Sequence, residues 1–112
     1  MAIINYTPHT VTVRDGSGVD HVYPSSGTVP RVAMQSAPSV ALSDGTPTIT
    51  VQYGAAELPL DHPPLCIVST MFAYAYRAQH GSNGVHLLVP DIGPSAIREN
   101  GQIVAVRALI RR

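Results

Sequence analysis

Apolar and polar positions alternate along this chain in short runs, and nearly every run ends at a Pro, Gly, Asn or Asp. Strand-length runs closed by turn-forming residues predict a β-rich domain. Residues 2–5 open a strand, and Pro8 holds Thr7 extended. Residues 10–14 alternate, with Val11 and Val13 on one face. The turn Asp15-Gly16-Ser17-Gly18 then returns the chain through 19–23, so the first third reads as a β-hairpin. Pro24 to Gly27 breaks that strand. Residues 29–34 and 39–42 read as short strands separated by Pro38, followed by a turn over 43–47. Residues 48–53 alternate cleanly and assign Ile49, Val51 and Tyr53 to the core face.

Beyond a Pro-rich stretch at 57–64, Leu65-Cys66-Ile67-Val68 is continuously apolar, the pattern of a strand buried on both faces. One main helix follows, at about 70–80. Ser69 or Thr70 supplies the N-cap, Met71 to Gln79 contains neither Gly nor Pro, and Gly81 is a left-handed stop. Arg77 and His80 lie in the last turn, where the helix dipole favours cations. Residues 85–89 form a strand and Pro90 to Pro94 a loop. Glu99-Asn100-Gly101 is a hairpin turn leading to a last strand over 102–110, with Arg111 and Arg112 as a solvated tail. The expected fold is α+β: a single β-rich domain over 1–112, mostly antiparallel, with the one helix covering a sheet face.

Composition narrows the function classes. Charged residues make up 12% of the 112-residue chain and the formal net charge is zero, which leaves no basic stripe for nucleic acid and favours self-association into a homo-oligomer. All seven cations are arginine, a bias that fits GC-rich coding better than a binding site, because no arginine cluster precedes the C-terminus. The single cysteine, Cys66, permits no internal disulfide and sits in an apolar strand, where a thiol is inert. No leader pattern and no run near membrane length is visible, so a cytoplasmic chain without a membrane partner is expected.

No catalytic motif is complete. The five histidines lack metal-ligand spacing, so neither a metal nor a cofactor is expected. Ser69 stands at a strand-to-helix switch but lacks the flanking glycines of a nucleophile elbow, and reads as an N-cap before an anion site. Ser25-Ser26-Gly27 has the look of a small anion nest, read first as an ordinary turn, with Arg31 close behind. Arg31 and Arg98 adjoin loops, where each can bind an anion, although pairing with Asp91 or Glu99 is the expected role. His9 with Asp91 or Asp61 is the one candidate acid–base pair. The candidate ligand-binding set is Thr7, His9, Ser26, Gly27, Arg31, Ser69, Asp91 and Arg98.

An ordered series of short motifs carries a resemblance. Ile4-Asn5-Tyr6-Thr7-Pro8-His9 is followed by Pro24-Ser25-Ser26-Gly27, Arg31, Leu58-Pro59, Ile67-Val68-Ser69, Leu88-Val89-Pro90-Asp91 and Arg98 to Gly101. The series resembles a group of small uncharacterised proteins of bacteriophages and prophages, including those of high-GC actinobacterial hosts. It covers nearly the whole chain and departs over His80 to Gly84, where the group has a shorter join. The resemblance implies a phage-encoded accessory protein acting in the host cytoplasm. The resulting expectation is a non-enzymatic binding module that counters host defence by sequestering a small anionic, nucleotide-like ligand or a host protein. The alternatives are a small hydrolase or nuclease using His9, and a virion or assembly component.

Overall fold

A computed structural model describes residues 2–112. Its elements are β1 (Ile3–Asn5), β2 (Val11–Arg14), β3 (Asp20–Tyr23), β4 (Met34–Pro38), β5 (Ile49–Tyr53), β6 (Leu65–Ile67), α1 (Thr70–His80), β7 (His86–Pro90), β8 (Ile97–Glu99), β9 (Gln102–Ala105) and β10 (Leu109–Arg111). One helix and ten strands in small, mostly antiparallel sheets make this a β-rich α+β fold. Among the described residues, no helix is long and apolar enough to cross a membrane.

The organising layer is a four-stranded sheet in the order β1-β6-β7-β10. β1, β6 and β7 run parallel, with Asn5 beside Ile67 and Ile67 beside Leu88, and β10 closes one edge antiparallel. Parallel neighbours need a long crossover, and α1 supplies it between β6 and β7. Cys66, Val68, Leu87 and Val89 from the sheet pack on Phe72, Ala73, Ala75 and Tyr76 of the helix. The opposite sheet face buries Ile67 and Leu88 against Val11 of the β2–β3 hairpin. Burial on both faces explains why β6 and β7 read as unbroken apolar runs.

The ends of α1 follow its sequence. The Ser69 hydroxyl accepts from the Phe72 N–H at 3.2 Å, and Gly81, at φ 63°, returns its N–H to the Arg77 carbonyl. The Arg77 guanidinium donates to the carbonyls of Gly81, Val85 and Arg112, tying the helix end to the strands beneath it. Arg112 is therefore docked through its backbone and Arg111 lies in β10; the last two residues expected as a tail are paired to the sheet while both stay exposed.

Two strand assignments also change. The expected strand over 102–110 divides into β9 and β10, because Val106 leaves the hairpin to bond with β2 through Arg14 N–H to Val106 O and Val106 N–H to Thr12 O. Residues 29–33 are not a strand, and β4 instead runs through Pro38. Pro is tolerated there because this is an edge strand. The Asn100-Gly101 turn is as expected, with φ 51° and 79°, the paired positive values of a tight hairpin turn.

Candidate functional site

The parallel pairing decides where loops converge. β1, β6 and β7 all end at the same edge of the sheet, so the residues after them meet there: Thr7 to His9, Val68 to Thr70, and Pro90 to Ile92. Ligands of open sheets bind in the crevice outside the carboxyl ends of parallel strands. A cleft of about 400 Å³ opens at that edge. Val11 and Thr12 of β2 and Ile103 to Val106 form its other wall. The lining is largely apolar, with Thr7, His9, Thr10, Thr12, Ser69 and Thr70 as the polar groups. An apolar cavity with a few placed polar groups is the usual form of a small-molecule site.

A buried asparagine builds one wall. Asn5 is 2% exposed, the one buried polar side chain among the described residues. Its Nδ2 donates to the carbonyls of His9 and Tyr23, both at 2.8 Å. Its Oδ1 accepts from the Thr7 N–H at 2.9 Å and from the Thr7 hydroxyl at 2.6 Å. Only this orientation of the amide faces donors to acceptors at all four partners. The bonds fold 5–9 into a tight loop and dock it on β3. Sequence reading treated Asn5 as part of a motif and missed this role; an Asn two residues before Thr-Pro, at the end of an apolar strand, was the available signal.

The predicted site residues divide into four groups. Thr7, His9 and Ser69 line the cleft together. Arg31 lines a second, smaller cleft of about 310 Å³ with Pro8, Val29, Met71 and Phe72, and Ser69 belongs to both. Arg31 has no carboxylate within 4 Å among the described residues, so the expected ion pair does not form. Arg98 forms none either. Its guanidinium donates to the carbonyls of Ile92 at 3.0 Å and Gly93 at 3.3 Å, and so holds the loop that carries Ile92 into the cleft. Asp91 serves the same loop, accepting from the Gly93 N–H and the Ser95 hydroxyl.

Ser26 and Gly27 lie outside both clefts. The Ser26 N–H bonds to the Asn5 carbonyl, the Gly27 N–H to the Ser25 hydroxyl and the Thr28 N–H to the Ser26 hydroxyl. With these amides used internally, the segment is a turn and not an anion nest.

Among the described residues, no hydrogen bond joins His9 to Asp91 or Asp61, and no three His, Cys, Asp or Glu side chains converge as metal ligands do. Burial pushes the Cys66 thiol up to about 11, and its Sγ lies 3.1 Å from the Pro63 carbonyl, which it meets as a donor. Compared with family models, curated proteins and solved structures, the chain matches none.

Proposed function

We propose that the protein is a non-enzymatic binding module that captures a small ligand with a flat apolar body and an anionic group, nucleotide-like in chemistry. The observation that carries this reading is the cleft at the carboxyl ends of β1, β6 and β7, apolar within and edged by Thr7, His9, Ser69 and Thr70. Strand side chains give it a rigid apolar wall. At the mouth, the first turn of α1 leaves the Thr70 and Met71 amides as orphan donors at the positive end of the helix dipole. Arg31, unpaired by any carboxylate in the described chain, stands in the adjoining cleft across Ser69 and supplies the cation for an anionic group. The likeness of the motif series to phage and prophage proteins gives the setting: an accessory protein in the host cytoplasm, acting as a homo-oligomer and withholding its ligand from host factors.

The test is native mass spectrometry of protein purified from a bacterial host, with mass analysis of whatever denaturation releases. A stoichiometric small molecule is expected. Val104→Trp, which fills the cleft from a half-exposed wall position, abolishes capture, and Arg31→Ala weakens it by about tenfold, roughly 1.4 kcal/mol. A clean apo protein that also fails to bind a panel of nucleotides refutes the ligand reading and moves the assignment to a host-protein partner.

A further inference from the structure

The hairpin of β4 and β5 stands apart from the rest of the fold. It packs on no element as it packs on itself, and the molecule extends 53 × 38 × 23 Å, with a radius of gyration of 16.9 Å. A compact chain of this length has a radius near 13 Å. The ladder runs from the Ala33–Gly54 bond at the root, through Ser39–Thr48, to Leu42–Thr46 beneath the tip. Gln79 clamps the root to α1, its Nε2 donating to the Gly54 carbonyl and its Oε1 accepting from the Ala56 N–H. The result is an arm fixed at its base and otherwise surrounded by solvent.

The arm is two-faced. Directly opposed residues share a face, so Met34 with Tyr53, Ser36 with Val51, and Pro38 with Ile49 lie on one side. Val40, one step further in the same register, continues that side, and Leu42 stands beyond it beneath the tip. Gln35 with Gln52 and Ala37 with Thr50 lie on the other. The apolar side is uncovered: Val40 is 86% exposed, Ile49 64%, and Met34, Leu42, Val51 and Tyr53 between 43% and 56%. Ile49, Val51 and Tyr53 among them are the residues whose alternation marks a core face in sequence, and within one chain they have no core to enter. A solitary two-stranded hairpin is marginal in water, so this arm lacks its packing partner.

We infer that the apolar face of the β4–β5 arm is a self-association surface, packing face to face on the same face of a second copy about a two-fold axis. Three observations select a second copy. The six large side chains are each at least 43% exposed and together present several hundred Å² of accessible surface, the scale that one partner contributes to a standard interface. The arm carries one charge, Asp44 at its tip, so self-juxtaposition brings no like charges together along its length and offers no ion pair to a charged foreign partner. Pro38 and Pro47 lack the N–H that an added strand needs, which favours packing of faces over pairing of edges. An isologous contact then gives every apolar residue an apolar counterpart. The inference stands independently of the ligand reading.

Sedimentation velocity and native mass spectrometry of the full chain, at concentrations up to about 100 µM, test it. A dimer is expected. Ile49→Lys combined with Val51→Lys sets charges against their own symmetry mates and weakens the dimer by at least about a hundredfold. Gln52→Lys, on the polar face and adjacent to Val51 in sequence, leaves the dimer intact. Methyl signals of Val68 and Leu87 in the core report that each variant is folded. A wild-type monomer at the highest concentration, or a double variant that dimerises as tightly as wild type, overturns the proposal.

Discussion

Asn5 is a buried polar side chain with every amide group engaged, so its loss is expected to be costly. Asn5→Ala deletes four hydrogen bonds at 2.6–2.9 Å from a side chain that is almost fully buried. Each contributes about 0.5–1.5 kcal/mol net, and groups left without a partner in a buried site cost more than that. Two of the four partners are partly compensated: the Thr7 hydroxyl, released from Asn5 Oδ1, turns its single proton to the His9 carbonyl 3.1 Å away, and the Thr7 loop can admit water. The expected destabilisation is therefore about 3–4 kcal/mol, a large share of the roughly 5–15 kcal/mol that holds a domain together. Asn5→Asp is sharper. It preserves shape and the Oδ1 contacts but replaces the donor with an oxygen facing two carbonyls. A carboxyl there has a raised folded pKa, so the variant is least compromised at low pH and loses stability as pH rises through that value. Urea unfolding followed by far-UV circular dichroism measures both variants, with m unchanged if the unfolded ensembles are alike. A loss below about 1 kcal/mol for Asn5→Ala, or a pH-independent penalty for Asn5→Asp, refutes the reasoning.

Two further expectations concern titrating groups. The bond from His21, then those from Ser17 and the Val19 amide, hold the Asp15 carboxyl well below the usual carboxylate range. Because the folded value is depressed, the contribution of Asp15 is fully present above about pH 4 and is lost as pH falls through the folded value. Stability measured against pH shows a shallower acid limb for Asp15→Asn, and superimposable limbs count against it. For Cys66, burial and the elevated pKa predict that iodoacetamide at pH 8 labels the native protein at a rate set by unfolding and labels urea-unfolded protein at once. Rapid native labelling contradicts the packing described here.

Local pattern was enough to locate the hairpins at Asp15 to Gly18 and at Asn100-Gly101, the β6 run and the helix with its Ser69 cap. These elements are specified within a few residues, by turn geometry, alternation and capping bonds. Strand direction is not local. Nothing in the sequence marks β1, β6 and β7 as parallel, yet that pairing brings Thr7, Ser69 and Ile92 to one edge and creates the cleft. The chain between 102 and 110 alternates without interruption, and only the bonds from Val106 to β2 divide it. Arg98 and Asp91 are ordinary loop polars in sequence; their role in fixing the 91–95 loop depends on which carbonyls and amides the folded chain sets before them. The alternation of Ile49, Val51 and Tyr53 correctly announced a strand with an apolar face, but periodicity encodes a face and not what covers it. Burial is a property of the assembled layers, and here those layers leave that face to solvent.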